Sequence, residues 1–512
     1  MEKQIKTQTT INRFRCASLD GLSAKVVDVE ATFTKGLPSF SVVGLVSSDI
    51  QESKERVKSA LLTNGFTFPP LKITVNLSPS DIKKSGTHFD LPIALLIALN
   101  QTSLEDSDLF VFGELGLDGK IKSSSMIFPL ILSLKEQGVI HKAIVPFEAL
   151  EYLQHISDIE FIGVDTLSKA IEMISTKSID KHTVSYEYKA QSLVIGKREF
   201  FYTQEYISDF FDIKGQNIAK RASLIAACGM HNFLMQGSPG CGKSMVSKRL
   251  QDILPPLSKD EILSIAKHQF LDGTTPDFAP KRPLRSPHHT ATSASIFGGG
   301  SINAKIGEVA LANYGLLFFD ELPHFSKPIL EALREPLQDR VVNISRVNAK
   351  ISYDADLMFV GAMNPCPCGN LLSKINACRC SDIEIKRYKN KLSDPFLDRI
   401  DIFVTMQEIS KDDRSDVTSK AMHEKVMDVF RRQMERGQSK LNGKLSENEI
   451  EKFCLLSSDA LEVLQKAIER FGLTHRSIAS IKKVGRTIAD INQHQKIEKQ
   501  DLLEALSYRK RA

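Results

Sequence analysis

The stretch Gly237-Ser238-Pro239-Gly240-Cys241-Gly242-Lys243-Ser244 carries the strongest chemical signal in this 512-residue chain. It fits G-x-x-x-x-G-K-[ST], the pattern of a phosphate-cradling loop. Its glycines let the backbone curl so that successive N–H groups face phosphate oxygens. The next helix begins there, and a helix N-terminus favours negative charge. In that arrangement Lys243 meets the β- and γ-phosphates and Ser244 holds Mg²⁺. The flanks agree: Phe233-Leu234-Met235 reads as a strand before the loop, and residues 245–253 read as a helix after it. A chance glycine-rich turn would lack this strand–loop–helix frame.

Two further apolar runs point the same way. Leu316-Leu317-Phe318-Phe319 ends in Asp320-Glu321. In an open parallel sheet, buried strands deliver side chains to the carboxyl edge, where ligands bind. Asp320 is then placed to hold the metal and Glu321 to orient and polarise the attacking water. Alone, such a run is commonly just a strand end; it gains weight from the loop upstream. The run from Leu357 to Met363 ends at Asn364, whose side chain can reach the γ-phosphate or the water. The plain alternative is a turn residue before Pro365. Together the three strands make ATP hydrolysis with Mg²⁺ the first reading.

Composition sets the frame around this core. Hydrophobic residues make up 42% and charged residues 25%, which excludes a disordered chain, a fibrous repeat and a disulfide-built miniprotein. At about 100–200 residues per domain, three domains are expected. The formal net charge of +5 permits a local basic surface without demonstrating one. No apolar run approaches the ~20 residues of a membrane helix. Met1-Glu2-Lys3-Gln4-Ile5-Lys6 lacks the apolar core of a signal peptide, so a cytoplasmic protein without membrane contact is expected.

Residues 1–175 read as a mixed α/β domain, with strands at 26–33, 40–44 and 73–77, helices at 51–62 and 90–99, and a hairpin turn at Asp118-Gly119. Residues 176–206 read as a linker, and residues 207–405 as a parallel α/β core. Residues 406–512 form the third domain, a polar connection to about 445 followed by helices over 447–508. No repeat at a fixed period is present.

Of eight cysteines, four cluster as Cys366-x-Cys368 and Cys378-x-Cys380. Two thiolate pairs across a short loop suit a closed, structural Zn²⁺ site. Four free thiols in a loop are the alternative. His288-His289 offers two imidazoles, but no second ligand group lies at metal spacing nearby in the sequence.

The motifs taken together resemble the ComM/YifB family of magnesium-chelatase-like AAA+ ATPases. The stretches that carry the resemblance begin with Gly36-Leu37-Pro38-Ser39-Phe40, Val43-Gly44-Leu45, Ile73-Thr74-Val75-Asn76-Leu77 and Phe89-Asp90-Leu91-Pro92-Ile93-Ala94. They continue through the phosphate loop, Arg285-Ser286-Pro287-His288-His289-Thr290, Gly298-Gly299-Gly300 and Asp320-Glu321-Leu322-Pro323. The last are Met363-Asn364-Pro365-Cys366-Pro367-Cys368-Gly369, Leu397-Asp398-Arg399-Ile400-Asp401 and Val484-Gly485-Arg486-Thr487-Ile488-Ala489-Asp490. The resemblance implies a first domain similar to the proteolytic domain of Lon proteases, an AAA+ core and a helical lid, assembled as a homo-hexameric ring. It implies that Arg399 is the arginine donated to a neighbour's ATP and that Arg476 is the lid arginine. It also implies DNA branch migration in natural transformation, on single-stranded or branched DNA and alongside recombination proteins.

Residues 84–91 are the counterpart of the Lon nucleophile loop, yet they have no serine at the nucleophile place, so a non-proteolytic domain is expected. DNA contacts are expected from basic projecting elements. One is the insert from 281 to 305, with Arg282, Arg285, His288 and His289; the other is a hairpin over 341–353, with Arg346 and Lys350 near its turn. Phosphate contacts of this kind give affinity without reading sequence. The first functional reading is therefore a DNA motor. The second is a chelatase-type remodeller of a protein partner, and DNA-stimulated ATP hydrolysis separates the two.

Overall fold

The three apolar runs that end in polar residues become neighbours in one five-stranded parallel sheet, ordered Leu284–Arg285, Leu316–Phe319, Met358–Met363, Phe233–Gln236, Ile402–Thr405. The computed structural model describes residues 13–100, 102, 108–176, 190–299, 305–345, 350–408, 410, 413–415 and 417–509. The central strands are buried on both faces, which is why their sequences run apolar without alternation. Successive side chains still take opposite faces. Met235, Phe318 and Val360 pack with the helices Asn217–Gly229, Ser419–Glu435 and His475–Ile491, while Leu234, Phe319 and Phe359 pack with Leu322, Phe325, Ile329 and Phe396.

Because all five strands run the same way, the sheet has two chemically distinct edges. Gln236 lies level with Met363 and Thr405, so the residues after them share the carboxyl edge. Asn232 fixes the opposite edge: its side chain donates to the Arg399 carbonyl (2.9 Å) and accepts from the Phe359 N–H (3.0 Å), and its own N–H donates to Asp401 (3.0 Å).

The chain forms two compact units. One comprises residues 1–188 with 269–277 and 346–351; the other holds the rest, including the nucleotide-type sheet and the C-terminal helices. The first unit carries a seven-stranded mixed sheet, ordered Ser39–Val43, Lys72–Ser78, Ser23–Thr34, Arg13–Asp20, Phe110–Val111, Lys142–Pro146, Glu160–Val164. The expected helices appear as Ser48–Thr63 and Asp90–Ala98, and Asp118-Gly119 joins the paired strands Glu114–Leu115 and Ile121–Lys122. In the loop that resembles the Lon nucleophile site, Lys84 Nζ donates to the Pro79 carbonyl and the buried His88 ring meets the Ala17 carbonyl at 2.9 Å. Burial draws the His88 imidazole down to about 4, so it is neutral at physiological pH.

Two expectations need correction. The described part of the expected linker contains a hairpin, Gln191–Ile195 and Arg198–Tyr202, which pairs with Leu257–Ser258. Gly196, at φ +62°, makes the two-residue turn, and Phe200 and Phe201 are buried. The expected polar connection contains the helix Ser419–Glu435, whose Met422, Val426, Val429 and Phe430 form one buried stripe. The C-terminal helices are Glu447–Phe453, Ser458–Phe471, His475–Ile491 and Lys499–Ser507.

A buried ion pair ties the last of these together. Arg486 donates to Asp490 (2.9 Å) and to the carbonyls of His494 (2.7 Å) and Gln495 (2.8 Å), and Asp490 also accepts from Asn442 (2.8 Å). Removing one partner of a buried pair strands the other charge. Arg486→Met is therefore expected to cost about 3–5 kcal/mol, read as a lowered midpoint in chemical denaturation of the full chain.

Candidate functional site

The phosphate loop follows strand Phe233–Gln236 and opens helix Lys243–Leu250, as its sequence requires. Gly240 and Gly242 take φ of +78° and +98°, values an L side chain resists. Lys243 Nζ donates to the carbonyls of Gly237 (2.7 Å) and Ser238 (3.0 Å) and to Asn364 Oδ1 (3.2 Å). Ser244 Oγ donates to Asp320 Oδ2 (2.8 Å). The ends of three strands thus converge on one point of the carboxyl edge. Ser244 and Asp320 are the oxygen ligands this chain offers to Mg²⁺, a cation that keeps several waters beside one or two protein ligands. Lys243 and the loop amides suit phosphate oxygens, and Asn364 supplies a neutral polar group beside them.

Glu321 follows Asp320 at φ +50° and accepts no share of the Ser244 hydrogen bond. Asp320 Oδ1 instead accepts from the Glu321 N–H at 2.9 Å, which fixes the turn. The Glu321 carboxylate lies 3.5 Å from His289 Nδ1 and 3.6 Å from His324 Nδ1. Sequence spacing could not reveal this cluster, because His289 comes from a loop after a different strand.

Arg399 and Arg476 converge with each other, away from Lys243. Both donate to Gln338 Oε1, at 2.6 and 2.8 Å, and Arg399 also donates to the Arg334 carbonyl at 2.9 Å. The Arg399 backbone is fixed by Asn232 at the amino edge of the sheet. The strand between that edge and the phosphate loop has four residues, about 13 Å at the usual strand rise.

The four clustered thiols are free and lie within 4.8 Å of one another. Cys366, Cys368 and Cys378 are spaced 3.5, 3.6 and 3.7 Å apart. A tetrahedral site with Zn–S of ~2.3 Å requires sulfur spacings of ~3.8 Å, so the donor set fits that ion. The backbone N–H groups of Asn370 and Arg379 pull Cys368 down to about 6, favouring thiolate. The cluster follows Asn364-Pro365 directly, and the Lys374 N–H donates to Glu408 at 2.9 Å. Gly369 presses on the phosphate loop: a Cβ there would lie 2.6 Å from Pro239 Cδ.

The basic residues expected to project fare differently. Arg282 is buried and donates to the carbonyls of Pro255, Pro256 and Tyr314 at 2.6–2.8 Å, so it is structural. Arg285 forms a two-point pair with Glu308, at 2.5 and 3.0 Å. The expected hairpin is present as Val341–Ser345 and Lys350–Asp354. Arg346 and the Lys350 side chain lie outside the described residues.

Comparison with known proteins agrees with this site. Models of "Magnesium chelatase, subunit ChlI", "Subunit ChlI of Mg-chelatase" and the ChlI C-terminal region match residues 209–414, 29–149 and 416–509. The chain is 38% identical over 502 residues to "Competence protein ComM" of Haemophilus influenzae, covering 96% of this chain and 95% of that protein. This chain belongs to the ComM/YifB family of magnesium-chelatase-like AAA+ ATPases. Two relatives named YifB, from Salmonella typhimurium and Escherichia coli, are each 35% identical, again over 96% of this chain and 95% of theirs. Family membership makes the carboxyl-edge site an ATPase site. No described helix is long and apolar enough to cross a membrane.

Two substitutions probe this geometry. Asn364→Ala removes a preorganised polar group and is expected to lower kcat for ATP about 10²-fold with little change in KM. Gly369→Val pushes a branched side chain toward Pro239 at φ +81°. It is expected to weaken binding of a fluorescent ATP analogue about tenfold, equivalent to ~1.4 kcal/mol.

Proposed function

We propose that this chain is an ATP-driven ring motor on DNA that extends recombination joints by branch migration during natural transformation. The observation that carries the motor reading is the placement of Arg399 and Arg476 together at the sheet edge opposite Lys243. A guanidinium there is useless to its own phosphate loop but well placed for ATP held by a second copy. The homo-hexameric ring of the resemblance supplies that second copy.

In each site Lys243 and the loop amides bind the β- and γ-phosphates, and Ser244 and Asp320 hold Mg²⁺. Glu321 takes the proton of the attacking water as oxygen bonds to phosphorus. Asn364 orients that water, and Arg399 and Arg476 of the neighbour neutralise charge developing on the γ-phosphate. Mg²⁺, when bound, bridges phosphate oxygens and offsets their charge. The DNA assignment rests on the likeness to the competence protein of Haemophilus influenzae. The first domain has a ring-shaping or DNA-guiding role rather than a proteolytic one, since Lys84 faces a carbonyl instead of a serine. Zn²⁺ in the four-cysteine cluster holds the loop after Asn364 against Pro239.

The second reading, a chelatase-type remodeller of a protein partner, is favoured by the family models named for magnesium chelatase and by the pairing of Arg285 with Glu308. ATP hydrolysis with and without single-stranded, duplex and four-way-junction DNA separates the two, with Glu321→Gln as control. Strong stimulation by DNA, absent in the variant, is expected for the motor; hydrolysis indifferent to every DNA would favour the remodeller. Metal analysis is expected to find one zinc per chain, lost in a Cys378→Ser/Cys380→Ser double variant.

A further inference from the structure

Asp320 and Glu321 are adjacent carboxylates with different partners. Asp320 is turned to Ser244 of the phosphate loop. Glu321 is turned to two imidazoles that meet the same oxygen, Oε2, at 3.5 Å (His289 Nδ1) and 3.6 Å (His324 Nδ1). The two rings stand edge to face with centroids 5.8 Å apart. This is not a metal site in form: among the described residues, only the four cysteines bring three or more ligand atoms together.

The two histidines are anchored to different parts of the fold. His324 closes the short turn Leu322–His324 that follows Glu321, and its ring meets the edge of Tyr388, 6.3 Å away at 90°. His289 sits in the loop between strand Leu284–Arg285 and helix Ser293–Phe297. Its ring stacks on His288 at 4.2 Å, and His288 is pinned to Thr290 by hydrogen bonds of 2.8 and 3.4 Å. Ser286, His288, Thr290 and Thr292 are exposed. The loop therefore shows one face to solvent and gives one imidazole to Glu321.

We infer that His289 and His324 are positioning residues that restrain the Glu321 carboxylate, and that movement of the exposed 286–292 loop releases it to act on the attacking water. The inference rests on the reading of Glu321 as the water-activating group. A carboxylate shared by two imidazoles must leave at least one of them to accept a proton from water. The cost of leaving is a few weak polar contacts at a half-exposed site, so a modest push on the loop suffices. The restraint thus links a surface loop to the rate of hydrolysis without touching nucleotide binding.

The test uses the full chain with ATP and Mg²⁺, without DNA. His289→Ala and His324→Ala are each expected to raise kcat several-fold while KM and the affinity for a fluorescent ADP analogue stay as in the unaltered protein. His289→Asn, which keeps a polar group facing the carboxylate, is expected to restore the restraint. Combining His289→Ala with Glu321→Gln is expected to abolish the gain, because the gain acts through Glu321. A kcat that falls or stays unchanged in both alanine variants, with nucleotide binding intact, would overturn the inference alone. Absence of hydrolysis by the unaltered protein would overturn the reading of the site and this inference with it. A merely structural role for the histidines would lower kcat and nucleotide affinity together.

Discussion

The parallel run of five strands is the constraint on which the rest depends. Every strand enters the sheet at one edge and leaves at the other, so whatever follows a strand shares an edge with whatever follows its neighbours. Lys243, Ser244, Asp320 and Asn364 follow three different strands and meet within hydrogen-bond distance for that reason. Arg399 precedes a strand and is carried to the other edge, where Asn232 holds its backbone. The same rule that assembles the nucleotide site excludes the arginine from it. A single chain therefore holds the binding half of one site and the charge-neutralising half of another.

Around the carboxyl edge, three surface features lean on the site from different directions. The cysteine loop presses Gly369 on Pro239. The short turn after Glu321 brings His324 to its carboxylate. The loop after the edge strand brings His289 to the same oxygen. None of these contacts is strong, since half-exposed polar pairs are each worth little. Their effect lies in geometry: they set where the phosphate loop and Glu321 rest, and a partner that moves any one of them changes hydrolysis.

The residues that were legible in the sequence share a feature. Phe233-Leu234-Met235, Leu316 to Phe319 and Leu357 to Met363 are continuous apolar runs, and each ends abruptly in the polar residues that do the chemistry. A sheet buried on both faces produces that pattern, so strand and site were read together. The Glu321 cluster was hidden because loops, not strand ends, bring His289 to it. The burial of Arg282 was hidden because an arginine among backbone carbonyls looks the same in sequence as one in water. Helix Ser419–Glu435 carried a readable stripe, Met422, Val426, Val429 and Phe430, but charged residues on its outer face obscured it. Spacing alone marked the four cysteines; their sulfur separations show that the loop already has the shape of a tetrahedral site.

The account's central claim is that each nucleotide site is completed by the arginine edge of another copy. Mixing two inactive variants tests it directly: Lys243→Ala spoils the phosphate loop and leaves Arg399 intact, whereas Arg399→Ala does the reverse. Each alone should fail to hydrolyse ATP, and the mixture should regain hydrolysis at sites that pair an intact loop with an intact arginine. A mixture as inactive as its components, or an Arg399→Ala protein that hydrolyses ATP at the unaltered rate, would contradict the claim.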